Sequence, residues 1–561
     1  MCIRDRLRTD QVASLTTAQV AALTTAQIAV IETEDLVGLN SAQIKALTTA
    51  QITSLTTDEG QIAALTTDQI NSLTSAQVAK LSASQVVALT TEQFAEMGTL
   101  QVAAISSAAI SSLEIEDLEQ ISSNAIAALS TAIVSLLTAD QIAALTSEQF
   151  SAMTSAQIAS LSTDQIVALT TEQASVLTSK QVAGLDSEQV AALEVDDFAE
   201  LSASSIVTLS STQLNGLADD QIAVITTEQF AVLTSAQIKS FDDTQIAALT
   251  TEQASKLTTK QLPGLATDTI GSLGIDAFAA LSTDVIQALT SAQVAQLSTE
   301  QVIALTTEQA SKLTTKQIVG LDSEQVTALA TDDLAKLSNA AIVGLSATQL
   351  NGLATDQIAA ITSEQFEVLT STQIKSFDDT QIAALTTEQA SVLTSKQVAG
   401  LATDTIGSLE TEDLALLTTL VIKALASAQV AQLSTEQVAA LTTEQVNVLT
   451  SKQVAGLDSE QVGALTTEQI VALTTVATSV MTSEQVAGLT SEQIANLETA
   501  DFKALKAASL PGLSTEAMGS LTSEQLVNLS NAQLSAFTDT QVAVLSTEQK
   551  AGLTTAQIAL L

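Results

Sequence analysis

The side chains of this sequence that could support chemistry are carboxylates and hydroxyls. Aspartates occur as adjacent pairs, and neighbouring carboxylates supply the hard oxygen ligands that Ca²⁺ prefers. The pairs are Asp196-Asp197, Asp219-Asp220, Asp242-Asp243, Asp332-Asp333 and Asp378-Asp379. No EF-hand spacing and no glycine-rich nonapeptide calcium motif surrounds them. We therefore favour solvated helix N-termini over a Ca²⁺ site, and we predict no metal-binding residues and no cofactor.

The residues of common active sites are missing. The chain has no His, so it offers neither an imidazole base nor a histidine metal ligand. Its one cysteine is Cys2. Ser and Thr are abundant, but they sit at helix-capping positions with no base nearby in sequence, and no glycine pattern for phosphate or dinucleotide binding occurs. The sequence predicts a protein that is not an enzyme, without catalytic or cofactor-binding residues.

Charge and hydropathy exclude further classes. The formal net charge is −43, which would repel the phosphates of nucleic acids and anionic membrane surfaces. No apolar stretch is long enough to span a bilayer, so we predict no membrane insertion. The hydrophobic fraction of 46% is too high for a disordered chain. The composition therefore predicts an acidic protein with enough apolar surface for a core.

An eight-residue repeat runs along the chain, with the consensus L-T-T-E-Q-I-A-A. Position 1 is apolar, from Leu7 through Leu55 and again from Leu65 to Leu561, and a two-residue insertion near Glu59-Gly60 shifts the frame once. Position 6 is the second apolar site. All ten phenylalanines fall at position 1 or position 6, as a continuous core requires. Lys550 at position 6 is the clearest exception, placed near the C-terminus where its side chain could reach water.

Positions 2, 5 and 8 carry the signals of a helix start and a helix end. Thr or Ser at position 2 and Gln at position 5 form a capping box, in which each side chain bonds the other residue's backbone amide. Acids at position 4 lie in the first helical turn, where the helix dipole favours negative charge. Ala or Gly fills position 8, and glycine there predicts the end of the helix. Each octad is expected to form a helix of about a turn and a half, followed by a turn.

Geometry selects the fold class. In one long helix, eight residues advance by about 800°, so successive anchors would drift around the axis and leave no buried stripe. In a flat strand, positions 1 and 6 would point to opposite faces. A β-solenoid with a corner in each octad stays open, although Ala and Gln count against it. We predict an all-α fold, an α-solenoid of very short helices, one per octad, stabilised by stacking.

A longer period is superimposed on the octads. Phe94, Phe230, Phe366 and Phe502 recur at one constant interval, which equals seventeen octads. The gene is therefore expected to have grown by duplication of large blocks. Because no linker separates the blocks, we predict a single continuous solenoid over residues 7–561.

The first six residues differ from the rest. Met1-Cys2-Ile3-Arg4-Asp5-Arg6 resembles a translated transposase mosaic-end adapter used to build sequencing libraries, and it holds the one cysteine and two of the three arginines. We exclude residues 1–6 from the fold as an artefact. This resemblance implies a reading frame from assembled environmental DNA that is truncated at its N-terminus.

The L-[TS]-[TS]-x-Q-[IV]-x-[AG] octads of residues 7–561 resemble tandem repeats of very large bacterial surface or secreted proteins. That resemblance implies a non-enzymatic structural or adhesive rod, or stalk segment, of a larger extracellular or cell-surface polypeptide. The alternative is a binding module whose groove or Gln-rich face holds a peptide, a glycan or Ca²⁺. No partner is identified by the sequence, and a protein or glycan surface is the class left open.

Overall fold

The computed structural model describes residues 8–58 and 60–561, so the prediction for residues 1–6 lies outside the described residues. The chain divides into two compact units, 1–285 and 286–561. Both units are built from helices of four to six residues, with a few 3₁₀ turns, and the described residues contain no strand. The predicted all-α class is confirmed, and the β-solenoid alternative is wrong.

Most octads form one helix that begins at position 3. The helices of the first unit are Thr9–Ala13, Thr17–Ala21, Thr25–Ile28, Thr33–Val37, Ser41–Ala46, Thr49–Thr53, Gln61–Ala64, Thr67–Ser72, Ser75–Val78, Ala83–Val87, Thr91–Glu96, Thr99–Val102, Ser107–Ile110, Ile115–Gln120, Ser123–Ala127, Thr131–Val134, Ala139–Ala143, Ser147–Ala152, Ser155–Ile158, Thr163–Val167, Thr171–Ser175, Ser179–Val182, Ser187–Ala191, Val195–Ala199, Ala203–Ile206, Ser211–Asn215, Asp219–Ala223, Thr227–Val232, Ser235–Ile238, Asp243–Ala247, Thr251–Lys256, the 3₁₀ turns Leu262–Gly264 and Thr269–Ser272, and Ile275–Ala279.

The second unit continues the same pattern, and the helix Thr283–Ala288 contains the boundary residue Val285. Its other helices are Ser291–Val294, Thr299–Ile303, Thr307–Ala310, Thr315–Gly320, Ser323–Thr327, Thr331–Lys336, Asn339–Gly344, Ala347–Asn351, Thr355–Ala360, Ser363–Glu367, Ser371–Ile374, Asp379–Ala383, Thr387–Ser391, Ser395–Val398, the 3₁₀ turn Thr405–Ser408, Thr411–Leu416, Thr419–Ala424, Ser427–Val430, Thr435–Ala440, Thr443–Asn447, Ser451–Val454, Ser459–Ala464, Thr467–Ala472, Thr475–Thr478, Ser483–Ala487, Ser491–Asn496, Thr499–Ala504, the 3₁₀ helix Ala507–Gly512, Thr515–Gly519, Ser523–Val527, Asn531–Leu534, Asp539–Ala543, Thr547–Lys550 and Thr555–Ile558.

Three octads make one turn of the solenoid. Within each unit, a helix packs on the helices three before and three after it, as Thr17–Ala21 does with Ser41–Ala46 and Thr443–Asn447 with Thr467–Ala472. We call each turn of three octads a coil. Between helices, positions 1 and 2 are extended, with Leu65 at φ −60°, ψ 133° and Thr66 at φ −68°, ψ 158°. This two-residue link redirects the chain into the next helix.

The core is the double row of positions 1 and 6, as the repeat predicts. Position 6 is almost fully buried, and Phe94, Phe230 and Phe366 are each 0% exposed. Position 1 is nearly as enclosed. Lys550 is half-buried, and its ammonium donates a 3.3 Å hydrogen bond to the carbonyl of Val542. Because a six-residue helix is unstable alone, this shared interior supplies the stability of the array.

Glycine at position 8 has a reason that the sequence did not indicate. The helices do end near these glycines, but no described residue other than Gly60 has a positive φ, so left-handed glycine caps do not end them. A Cβ on Gly320 would instead lie 2.6 Å from the backbone oxygen of Ser291, in the coil before. A Cβ on Gly400 would lie 2.7 Å from the backbone oxygen of Ser371, again in the coil before. Glycine here permits close approach of neighbouring coils.

The two-residue insertion that shifts the repeat frame lies at the start of the helix Gln61–Ala64. Glu59 lies outside the described residues, but Gly60 has φ +70°, and the next helix begins at Gln61. The amide N–H of Thr56 still donates to Gln61 Oε1, at 2.9 Å and across a wider spacing than in the other octads. The displaced cap leaves the buried Thr56 Oγ1 without a partner. The insertion is thus absorbed before Ile62 and Leu65 resume the core pattern.

Gly320→Ala should destabilise its coil, because the new Cβ would meet backbone that cannot rotate away. We expect a loss of about 1–3 kcal/mol in local opening free energy, measured by amide hydrogen exchange. Gly519→Ala is the matched control, since no atom lies within 4 Å of its Cβ position. In that helix the alanine should be neutral or stabilising by up to about 1 kcal/mol. Equal losses in both variants would contradict the close-approach explanation.

Candidate functional site

The residue that recurs at the contact between coils is the glutamine of position 5. Its side-chain Oε1 accepts from the backbone amide of position 2, at 2.9 Å for Thr66 and Gln69. The Gln69 amide N–H donates in turn to Thr66 Oγ1 at 3.2 Å. The predicted capping box is therefore present, and the abundant hydroxyls serve as helix caps.

The same glutamine also bonds the coil before it. Gln253 Nε2 donates to the carbonyls of Ile222 at 2.8 Å and Ile225 at 2.7 Å. These acceptors lie in the coil before, at position 6 of one octad and position 1 of the next. The Ile222 carbonyl lies at a helix end, where it also accepts from the Ile225 amide at 3.3 Å, and the Ile225 carbonyl lies in the extended link. We call this repeated set of bonds the glutamine ladder.

Sequence reasoning missed the ladder because it depends on how many octads form a coil. The available signal was the residue type, since a neutral amide both donates and accepts while Glu can only accept when ionised. Gln253 is 1% exposed, and the other ladder glutamines are similarly enclosed. Away from the first and last coils, the position-5 glutamines therefore do not form an exposed Gln-rich face, because their side chains are buried at the contact between coils.

Aspartate replaces glutamine at position 5 of several octads. The buried examples are Asp117, Asp197, Asp333, Asp413 and Asp501, each at most 4% exposed. Burial is the main cause that raises the pKa of Asp117, Asp197 and Asp333, and a bond from a threonine hydroxyl of the preceding coil opposes it. Asp501 Oδ1 is buried without a hydrogen-bond partner. An ionised carboxylate cannot donate to the carbonyls that the ladder normally serves.

Asp413 is the most perturbed of these groups. Burial, followed by repulsion from Glu410, Glu412 and Glu388, raises its pKa from 3.8 to about 6. Glu410 and Glu412 belong to the same octad, and Glu388 belongs to the coil before. The position therefore combines desolvation with like charge, both of which favour the protonated acid.

The paired aspartates predicted to be solvated do not all behave alike. Asp219, Asp220, Asp242, Asp243, Asp378 and Asp379 are exposed as expected. Asp242 caps its helix, and bonds from the Gln245 amide and the Thr244 hydroxyl lower its pKa. For Asp197 and Asp333 the prediction is wrong, because position 5 faces the preceding coil. No three acidic or thiol groups among the described residues converge as a metal site would require.

The surface of the first unit carries open depressions. One of about 520 Å³ lies beside Glu252 and Asp276, and one of about 410 Å³ lies near Glu194, Asp196 and Asp220. Isolated apolar side chains, such as Leu100 and Leu420, are exposed. Within the described part of the chain, no helix has the length and apolar character needed to cross a bilayer.

A family model described as the ALTTAQ repeat matches more than half of the chain. The matched segments are 28–67, 110–147, 142–179, 190–227, 222–259, 276–307, 286–315, 326–363, 406–443, 443–475 and 494–531. The chain belongs to the ALTTAQ repeat family. The six letters occur as Ala46–Gln51, which holds the core anchor Leu47, the N-cap Thr48 and the ladder residue Gln51. The ALTTAQ motif thus spans both halves of the capping box and the bond between coils.

Other comparisons add little to this assignment. No curated protein matches this ALTTAQ chain. The crystal structure of the pentatricopeptide repeat protein PPR10 from maize aligns over 98% of this chain and 92% of its own, at 12% identity and a TM-score of 0.13. A score that low supports no conclusion about fold or function.

Gln325→Ala tests the ladder. The wild-type side chain accepts from the Asp322 amide at 2.8 Å and donates to the Leu297 carbonyl at 2.7 Å. Removing it leaves buried backbone groups unpaired, so we expect a loss of about 2–4 kcal/mol in opening free energy by hydrogen exchange. Glu324→Ala, at the exposed position 4, should change stability by no more than about 0.5 kcal/mol. Similar losses for both would show that the ladder contributes nothing specific.

Asp413→Gln tests the buried acid. Because the pKa of Asp413 is higher in the folded chain than in the unfolded chain, its contribution to stability is complete below about pH 4. That contribution is lost as the pH rises through about 6. The variant should have a higher melting temperature than the wild type at about pH 8. Its melting temperature should also decrease less than that of the wild type between about pH 4 and 7.

Thermal melts followed by circular dichroism across this range measure the effect. Glu460→Gln removes the same charge from an exposed position 4 whose carboxylate is not among the groups that act on Asp413, and it serves as the control. A pH profile unchanged by Asp413→Gln, or changed equally by the control, would contradict the assignment.

Proposed function

We propose that this ALTTAQ repeat chain is a non-enzymatic structural segment, a stalk or adhesive spacer of a larger bacterial surface or secreted protein. The observation that carries the proposal is the use of its polar side chains. Hydroxyls cap helices, and glutamine amides join coils. The side chains best suited to chemistry are therefore engaged in holding the array together.

The modular construction supports a spacer. Each octad makes the same contacts with the octads three before and three after it, so octads can be added without a new kind of contact. The net charge of −43 favours solubility and discourages self-association of a repetitive chain. A spacer requires both properties, since its task is to extend without collapsing or aggregating.

Surface display can be tested in the bacterium that carries the gene. Antibodies raised against the full chain should label intact cells or the culture medium, while a cytoplasmic marker stays unlabelled. Labelling that requires lysis would contradict the extracellular stalk.

A deletion series tests the spacer role itself. Removal of residues 425–448, which are one whole coil, should leave folding and display intact, because the flanking octads can stack in its place. Removal of residues 425–428 is the control, since half an octad breaks the alternation of helix and link. Loss of display after the whole-coil deletion, with helical circular dichroism retained, would indicate a specific binding element and not a spacer.

A further inference from the structure

The glutamine ladder is interrupted over complete coils in the second unit, and residues 401–424 form the first of them. Position 5 of the three consecutive octads 401–424 is Thr405, Asp413 and Val421, and all three side chains are buried. Since three octads make one coil, no glutamine joins this coil to the one before it. We call residues 401–424 the glutamine-free coil.

The neighbouring contacts show what is missing. In the coil before, Gln381, Gln389 and Gln397 donate to the carbonyls of Leu353, Ile361 and Leu369. In the coil after, Gln429, Gln437 and Gln445 donate to the carbonyls of Leu401, Leu409 and Leu417. At the contact between them, no side-chain amide of the described chain reaches the equivalent carbonyls of Phe377, Leu385 and Leu393.

The contact between the glutamine-free coil and the coil before it has few other hydrogen bonds that could replace those of the ladder. Thr405 and Val421 place no amide there, and Thr405 lies in a 3₁₀ turn where most octads have an α-helix. Ser395 Oγ donates to the Leu420 carbonyl at 3.2 Å, but this bond is exposed to water. Such a bond contributes less than a buried one, because water competes for both partners.

Charge weakens the same contact further. The Asp413 carboxylate faces Glu388 of the preceding coil, and Glu410 and Glu412 lie beside it. Glu436 is the acid on the helix Thr435–Ala440, which packs on the opposite side. No cation is among the charged groups that act on Asp413, so at neutral pH it brings buried repulsion in place of a hydrogen bond.

The first unit contains an equivalent interruption. Position 5 of four consecutive octads, 105–136, is occupied by Ala109, Asp117, Ala125 and Ile133. The ladder resumes at Gln141, which donates to Leu113 at 2.8 Å. Asp117 also lies near two glutamates, Glu114 and Glu116, whose charges raise its pKa, and it accepts a hydrogen bond from Thr91.

Glutamine is also absent from position 5 of octads 265–288, which have Thr269, Ala277 and Val285, and of octads 497–520, which have Asp501, Ser509 and Ala517. Segments 105–136 and 401–424 differ from these because each also buries an aspartate whose pKa is raised by burial and by neighbouring glutamates.

We infer that segments 105–136 and 401–424, which lack ladder glutamines and bury an aspartate among acids, are built-in opening points, at which coils separate while the rest of each unit stays folded. In a stack where each coil contacts only its neighbours, local opening occurs at the contact with the fewest interactions. The ladder bonds are the contacts that these two segments lack. The inference concerns the fold and stands whether or not the chain lies at a cell surface.

Hydrogen exchange of the full chain at neutral pH, followed by mass spectrometry, tests the inference. Amides of the helices Thr387–Ser391 and Thr411–Leu416, which face each other across the interrupted contact, should exchange at least about tenfold faster than those of Thr443–Asn447 and Thr467–Ala472. The second pair faces across a complete ladder, with Gln469 bonded to Leu441. Equal protection of the two pairs would overturn the inference.

A variant that completes the ladder provides the direct test. The triple substitution Thr405→Gln, Asp413→Gln and Val421→Gln should slow exchange at the interrupted contact to the rate of its neighbours. The control triple Asp404→Gln, Glu412→Gln and Leu420→Gln adds the same number of glutamines to position 4 of the same octads. Because it removes the Glu412 charge beside Asp413 but adds no ladder bond, it should slow exchange far less than the first triple, and equal slowing in both would overturn the inference.

The reverse experiment does not depend on the folding of that variant. Gln429→Val, Gln437→Val and Gln445→Val remove the ladder from the next coil. They should create a new fast-exchanging contact between residues 401–424 and residues 425–448. The amides of the remaining coils should stay protected. Uniform loss of protection along the unit, or no loss at all, would show that the ladder does not determine where coils separate.

Discussion

A carboxamide carries an acceptor and two donor hydrogens on one planar group, and the structure depends on that combination. A helix of four to six residues leaves most of its backbone groups without internal partners. The glutamine of position 5 serves the start of its own helix and carbonyls of the preceding coil at once, as Gln253 does. One residue type therefore compensates for the shortness of two helices. Glutamate, asparagine or an apolar residue would lose at least one of these bonds.

Apolar burial and polar bonding are divided between adjacent positions. Position 6 fills the interior, and position 5 lies beside it, at the contact between coils. The polar groups that short helices cannot satisfy internally are thus bonded next to a dry core, where an unpaired group would be costly. Glycine at position 8 brings the backbones close, since a Cβ on Gly320 would collide with the preceding coil. Nearly every octad contributes an apolar residue at position 6 and most contribute a glutamine at position 5, whereas glycine occupies position 8 of a minority.

Most of the local structure follows from the sequence alone. The phenylalanines mark the buried positions, as Phe94 shows, and the hydroxyl–glutamine spacing gives the helix starts. The contacts between coils could not be obtained in this way, because a bond such as that from Gln253 to Ile222 depends on the number of octads per coil. For the same reason Asp197 and Asp413 resemble surface acids in sequence, although position 5 is buried. Glycine at position 8 shows a related limit, since the same residue suits a left-handed cap and a close approach.

The three-octad coil also determines where the residues of duplicated blocks lie on the surface. The duplicated blocks contain seventeen octads, which is not a multiple of three. Within the first unit, the octads of Phe94 and Phe230 therefore differ by about two thirds of a turn around the axis. The same holds for Phe366 and Phe502 in the second unit. Copies of one block therefore present their outward residues in different directions. The repetition of blocks in the sequence is not matched by a repetition on the surface, so equivalent residues of two copies do not lie on the same side of a unit.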